Sequence, residues 1–536
     1  MLEKISSFFN YNNKKLYSFL FFFVIFTIGL NSVDDYGATL DDQFYFQNGL
    51  NAYSYAKNNI LSFLNILIAN QSAGTFNEWP TTFELILAFI SDILNLNDLN
   101  KIYLLGHYLN FTIFFLSLIL LFRLINKRFN STIMSYIGIS ALFLSPRIFA
   151  EAYYNWRDIF FLSLFIFFIS SVYQYLFAKN LRSIILLALT SSLLIITKIL
   201  GVLPPIIFIL LYIFDISFKD NKKKEIKNLI VYFLLTIFFI YIFWPYLWSS
   251  PVDNLFFAFT NILKTHEGLV LINYYFGEYI SSNTSPWHYR IVWFLITTPI
   301  VIVVLFFLGF TSSLLKILIK LINYDDQKNL LWNTKNEIFD YLIFFILILT
   351  TFVAIKFNTS KFGGWRHLYF LYPTVIYFSI IFITNIKKVL FKKFIYISII
   401  VNFIYVSMWS YLNHPYQYVF FNFPSKQYVK KNFELDSWGV SNLDSLKYIL
   451  KKDKKEKIKI QTISFSSLDP SIALLASNQK DRLVLTSKYE DAEFLIDHYR
   501  KKTRGNFVIE PNQYEKYYEI IVNGIPINTV YKKITR

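Results

Sequence analysis

Apolar runs of about 20 residues, with few or no charges, recur along most of the chain, separated by polar stretches. They fall at 16–30, 103–125, 132–148, 157–178, 182–199, 201–218, 228–248, 291–312, 340–356, 367–385 and 394–412. Most approach the roughly 20 residues that a helix needs to cross a bilayer core. The pattern predicts about 11 transmembrane helices. Gly201 and Pro204–Pro205 mark the turn between two tightly spaced ones. The first run follows Lys14 and Lys15 and lacks a small-residue cleavage site, so it is read as an uncleaved helix. An amphipathic stretch at 82–94 is expected to lie in the membrane interface. Beyond residue 413 the pattern changes. Short β-like runs appear at 458–465, 482–487, 493–497 and 518–523, with a helical run near 442–452. The expected architecture is an α-helical polytopic domain over 1–412, with long outer segments at 31–100 and 249–290. A small α/β domain over 413–536 lies outside the membrane.

Composition supports this division. Hydrophobic residues make up 55% of the 536, and charged residues only 16%, against about 25% in a soluble protein. That excludes disorder and an ordinary cytosolic enzyme. The absence of cysteine excludes disulfides, thiolate zinc sites and cysteine nucleophiles. A net charge of +17 would suggest nucleic acid in a soluble chain, but no nucleic-acid motif accompanies it. Many of the cations cluster in alternate loops: Arg123, Lys127 and Arg128; Lys179 and Arg182; Lys219 to Lys227; Lys316, Lys320 and Lys328; Lys387 to Lys393. The positive-inside rule makes those loops cytoplasmic. The N-terminus is then inside and the C-terminus outside, as in a multi-pass protein of a bacterial inner membrane. The tail holds 21 Lys and Arg against 14 Asp and Glu. Its positive charge fits an anionic lipid surface or a solvated basic face.

Charged residues at the edge of the bilayer are the functional candidates. The first outer loop carries Asp34, Asp35, Asp41 and Asp42. Such carboxylates can act as a general base, bind a divalent cation, or cap a helix in a solvated loop. The segment SPRIFAEAYYNWRD holds Arg147, Glu151, Asn155, Arg157 and Asp158. It suits a phosphate, through the planar fork of arginine, or a structural Arg–Asp network. Glu278, His288 and Arg290 precede a later span, and the segment SKFGGWRHLYFLYP brings Arg366 and His367 into another. Those cations can hold an anionic head group or snorkel to the interface. All four segments fall on the outer face, which points to an enzyme with an outward-facing site. No Walker A, G-x-S-x-G or H-E-x-x-H motif occurs.

Together these segments resemble those of the family 39-type, GT-C fold glycosyltransferases. This family includes the protein O-mannosyltransferases and the bacterial aminoarabinose lipid A transferases. The segment LDDQFY looks like that family's acidic motif, PRIFAEAYYNWRD like its second outer motif, PWHYRIVWFLITTP like a bacterial loop-helix motif, and GGWRHLYFLYP like its late Arg-His helix start. The tail segment at 414–441 is also similar to bacterial members. The resemblance implies inverting transfer of a sugar from a polyprenyl-phosphate donor to a hydroxyl on protein, lipid or glycan, on the periplasmic side. It implies Asp41 as general base, with Asp42 standing where a Glu is usual, and Asp158 as the second acid. Arg157, Arg366 and His367, with Arg147, Lys198 and Arg290 behind them, are implied at the donor phosphate. Glu278, Tyr45 and His288 are candidates for sugar or acceptor. The resemblance implies no definite cofactor beyond the lipid-linked sugar as substrate, and a divalent cation stays open. Two other classes compete: a flippase, ligase or polymerase of lipid-linked oligosaccharide, and a secondary transporter. Release of polyprenyl phosphate separates transfer from transport.

Overall fold

A computed structural model describes residues 2–63, 78–79, 81–218, 221–268, 270–323, 331–357, 361–422, 425–500 and 512–534. The helices in chain order are α1 (Leu2–Asn31), α2 (Leu40–Phe63), α3 (Thr82–Ile93), α4 (Leu99–Phe129), α5 (Thr132–Phe143), α6 (Pro146–Tyr154), α7 (Asp158–Ala178), α8 (Leu181–Thr197), α9 (Leu203–Ser217) and α10 (Lys222–Phe243). Next come α11 (Pro251–Gly268), the hairpin of β1 (Ile272–Tyr275) and β2 (Glu278–Ser281), α12 (Tyr289–Thr297), α13 (Ile300–Ile322) and α14 (Lys335–Lys356). A tight helical turn, Arg366–Leu371, leads into α15 (Tyr372–Asn385), followed by α16 (Val389–Leu412).

Nine helices among the described residues are long and apolar enough to cross a membrane. The pair α5 and α6, bent by 65° before Pro146, brings the number to ten when its halves are taken as one span, and α8 is a shorter apolar helix. The chain is thus a multi-pass α-helical membrane protein. One expected span is displaced. The run at 291–312 is not a single helix, because Pro299 has no N–H to continue the ladder and Thr298 before it is extended. The residues divide into the short α12 and the spanning α13.

Burial orders the bundle. The spans of α7 and of the segment Arg366–Asn385 are 83% buried and form the centre, whereas α1, α10 and α16 are 17%, 11% and 22% buried and turn their Leu, Ile and Phe outward. Phe370 packs against Phe161 and Phe165 of α7, with ring centroids 4.5 and 5.4 Å apart. This aligns the first residues of the two central spans, Asp158 and Arg366. The amphipathic α3 buries Phe83, Glu84, Leu87 and Ala88.

After α16 the chain forms α17 (Lys426–Asn432), α18 (Asn442–Lys452) and a five-stranded sheet. The strands are β3 (Ile458–Thr462), β4 (Leu483–Leu485), β5 (Phe494–Asp497), β6 (Tyr514–Val522) and β7 (Ile525–Lys533), in the order β4-β3-β5-β7-β6. The β3 strand runs parallel to β4 and β5, and the β6–β7 hairpin joins antiparallel to β5. Asn523 and Gly524, with φ of 51° and 78°, supply the tight turn of that hairpin. This unit docks on the segment that links α1 to α2. Tyr36 donates to Gln417 Oε1 at 2.7 Å, His414 Nε2 lies 2.8 Å from Asp35, and the Val440 carbonyl presses on Gly37.

Candidate active site

Asp158 opens α7 and is the hub of the site. Its side chain is 1% exposed. Burying a carboxylate this deeply requires ion pairing and hydrogen bonds, and Asp158 has both. Lys198 Nζ donates to Oδ1, Arg366 Nη1 donates to Oδ2 at 3.2 Å, and Asn155 Nδ2 donates to Oδ2 at 2.9 Å. His367 Nδ1 stands 3.7 Å away. Asn155 also contacts Glu151 Oε2 at 2.6 Å, and the other oxygen of Glu151 accepts from Tyr369 at 2.7 Å.

Arg366 links two acids. Its Nη2 donates to Asp41 Oδ2 at 3.0 Å while Nη1 holds Asp158. The preceding Gly363 and Gly364, at φ of 63° and 73°, take a left-handed backbone that side chains disfavour. A Cβ on Gly363 would stand 3.0 Å from Arg366 Nε, so the glycine leaves the guanidinium its place.

Asp41 and Asp42 are adjacent but occupy different environments. The Asp41 side chain is 34% exposed and faces Arg366. Asp42 is buried, and Oδ2 accepts from Thr39 N at 2.9 Å while Thr39 Oγ1 accepts from Asp42 N at 3.3 Å. This is a reciprocal cap on the start of α2. Burial pushes the Asp42 carboxyl well above the ordinary carboxylate range.

The structure brings together Asp41, Asp158, Lys198, Arg366 and His367. Arg157 lies beside them, its guanidinium 3.8 Å from the Tyr45 ring centroid and its Nη2 donating to Thr197 O at 3.2 Å. Arg147 stacks over Trp293 and Phe421 at 5.0 and 5.4 Å. The other three candidates have their contacts outside this cluster. Arg290 donates to Ala354 O at 2.9 Å near the C-terminal end of α14, and burial pushes it down to about 10. His288 shares a 2.8 Å hydrogen bond with Tyr275, and Glu278 is an exposed residue of the hairpin opposite Tyr275.

Several buried donors in this region have no protein acceptor: Nε and Nη2 of Arg147, Nη1 of Arg157 and Nε of Arg366. Each such atom costs about 1–3 kcal/mol when left unmet. A set of unmet N–H donors fits an oxyanion. It does not fit a divalent cation, which takes several oxygen ligands. The carboxylates here are already held by Arg366, Lys198 and Asn155, and among the described residues no group of three His, Asp or Glu is placed to hold a metal.

One residue of the site was not among those singled out from the sequence. The Trp438 indole, from the tail, covers Arg366 with 4.1 Å between ring centroid and Cζ. Its only sequence signal is its place in the family-like segment at 414–441.

No family model matches the chain, and neither does any curated protein. Among solved structures it is similar to the Archaeoglobus fulgidus oligosaccharyltransferase in the apo form, at 10% identity and a TM-score of 0.45, over 85% of this chain and 61% of that one. It is also similar to the archaeal oligosaccharyltransferase AglB from Archaeoglobus fulgidus in complex with an inhibitory peptide and a dolichol-phosphate, at 11% identity and a TM-score of 0.44, over 89% of this chain and 69% of that one. The chain thus spans about three fifths of the length of the first of these. The likeness is remote, and the roles of the side chains rest on their own geometry.

Proposed function

We propose that the protein is a membrane glycosyltransferase that moves a sugar from a polyprenyl-phosphate donor to a hydroxyl acceptor. The supporting observation is the Asp41–Arg366–Asp158 bridge, set among buried cationic donors without acceptors. Asp41, the more exposed acid, takes the proton of the acceptor hydroxyl. The freed oxygen attacks the anomeric carbon as the bond to the donor phosphate breaks, and the configuration inverts in one displacement. The leaving phosphate takes the bonding pair, and Arg366, His367, Arg157 and Arg147 stabilise its charge. Asp158 does not meet the acceptor. With Lys198 it fixes Arg366, while Tyr45 supports Arg157 and Asp42 holds the turn that presents Asp41. Glu278 and His288 belong to the acceptor side, and Arg290 anchors α12.

The same reading places the N-terminus in the cytoplasm, the tail and site in the periplasm, and the protein in a bacterial inner membrane. Purified full-length protein should release polyprenyl phosphate from a labelled polyprenyl-phosphate sugar when an acceptor is supplied. A protein that moves the labelled donor across a vesicle membrane and releases no polyprenyl phosphate is a transporter or flippase, and the proposal fails.

A further inference from the structure

The tail and the β1–β2 hairpin enclose a cavity close to Trp438. Its volume is about 210 Å³, and its lining includes Tyr274 and Tyr279 of the β1–β2 hairpin, Glu434 and Asp436 from the link before α18, and His498 and Arg500 after β5. It is smaller than the roughly 300–1,000 Å³ of a site for a drug-sized ligand, and suits one compact moiety.

Two of its walls are chemically unfinished. Glu434 is 7% exposed, and neither carboxylate oxygen has a hydrogen-bond partner. Arg500 is 4% exposed, with Nη1 spent on the Ser437 carbonyl at 2.5 Å. Its Nε and Nη2, the side-on fork, have no partner. Phe465 holds the guanidinium from one side, at 4.7 Å. Lys430 stands exposed at the rim, whereas Asp436 and His498 are committed. Asp436 accepts from Val440 N at 3.1 Å and from Ser441 N at 3.0 Å, while His498 bonds the Asp436 carbonyl through Nδ1 at 2.9 Å and accepts from Ser466 N at 3.2 Å. Buried polar atoms are rarely left unmet, and here an acceptor pair and a donor pair belong to two residues that line one cavity.

That ligand must offer donors to Glu434 and acceptors to Arg500 at once. A phosphate or sulfate suits Arg500 and Lys430 but meets the carboxylate of Glu434, and an amine suits Glu434 but meets the two cations. A polyhydroxylated ring satisfies both, because each hydroxyl donates and accepts. Tyr274 and Tyr279, with ring centroids 4.8 Å apart, add an apolar wall for a ring face. The wall is fixed by backbone: Glu434 N donates to Tyr274 O at 3.1 Å, and Tyr275 bridges to Phe433.

We propose that this cavity binds a saccharide unit of the acceptor, so that the transferred sugar is added to a glycan or glycolipid. The inference rests on the glycosyltransferase reading for its purpose, and on Glu434 and Arg500 for its chemistry. Trp438 joins the two sites, its ring centroid lying 4.1 Å from Cζ of Arg366 and 5.4 Å from Cζ of Arg500. An acceptor hydroxyl held here stands across one indole from the guanidinium that grips Asp41.

The test is binding, independent of turnover. A panel of neutral, amino and acidic methyl glycosides is titrated against the full-length protein in detergent, with ligand-observed saturation-transfer NMR as the readout. Undecaprenyl phosphate is titrated separately. At least one glycoside should bind, and Glu434→Gln and Arg500→Met should each weaken it by tenfold or more while undecaprenyl phosphate binding is unchanged. Tyr279→Ala, on a half-exposed ring, should weaken the same glycoside and guards against misfolding of the buried variants. Absence of any glycoside binding overturns the proposal, as does binding indifferent to all three changes. Glu434-dependent binding of a short peptide in place of any glycoside makes the acceptor a peptide and also overturns it. Loss of undecaprenyl phosphate binding in the unsubstituted protein would instead strike the donor assignment.

Discussion

Trp438 lies over the guanidinium of Arg366, so a residue of the C-terminal tail forms one wall of a site otherwise built from the helical domain. A cation–π contact of this kind is worth about 0.5–2 kcal/mol. Trp438→Ala should lower the rate of transfer by roughly tenfold, in keeping with that energy, and Trp438→Phe should recover most of it. Equal rates in all three proteins would show that the tail merely covers the site.

Asp41 is the acid with solvent access in the cluster, and it carries the proton transfer in the proposed mechanism. Asp41→Asn should reduce release of polyprenyl phosphate by about 10²- to 10⁴-fold, the usual contribution of a positioned base. Binding of undecaprenyl phosphate should persist. Turnover that survives the change would move the base elsewhere.

Asp158 has a different task. Replacing it with Asn leaves Lys198 and Arg366 buried without their shared counter-charge. Removing one partner of a buried pair costs about 3–5 kcal/mol. The unfolding midpoint in detergent should therefore fall well below that of Asp41→Asn. Arg366→Lys keeps the charge but cannot hold both acids in one planar fork, so it should lose activity with a smaller loss of stability.

Asp42 predicts a pH signature. Its folded carboxyl stays protonated to a higher pH than the same group in the unfolded chain, because burial disfavours the charge. Below the ordinary carboxylate value both states hold the proton, and Asp42 contributes nothing to pH dependence. As pH rises past that value the unfolded state ionises first, and the fold loses stability. Asp42→Asn removes this loss while still accepting from Thr39. Its unfolding temperature relative to the unsubstituted protein should climb between pH 4 and pH 8. A constant difference would mean that Asp42 ionises freely when folded.

The chain has no cysteine, so single cysteines report topology against a silent background. Asn283→Cys, after β2, should react with an impermeant maleimide in intact spheroplasts. Lys224→Cys, in the first turn of α10, should react only after permeabilisation. The reverse pattern would invert the proposed orientation.

Much of this was legible in the chain because spans announce themselves by length and apolar content, and because charges near a bilayer are scarce. Asp41, Asp158, Arg366 and His367 stood out for that reason. What escaped was set by tertiary contact or by single residues. Pro299 split a run that hydropathy averaged into one helix. The β7 strand was passed over, since its Pro526 and lysine-rich end weaken an isolated strand signal. Asp41 and Asp42 read alike in sequence, and only the Thr39 cap distinguishes them. Glu434, Trp438 and Arg500 belong to a tail in which charged and aromatic residues are common, and nothing local marks them as partners of a helix end more than sixty residues away.

The 65° bend between α5 and α6 has a kinetic consequence. It swings Arg147 and Glu151 out of line with the spanning helix and sets them beside Asp158, at the end of the bundle. On the proposed reading the lipid donor reaches this corner by lateral diffusion, whereas the acceptor arrives from solution. The two substrates are then counted in different units, one per area of membrane and the other per volume of periplasm. Diluting the donor with inert lipid at constant bulk concentration should slow the reaction as surely as withholding the acceptor.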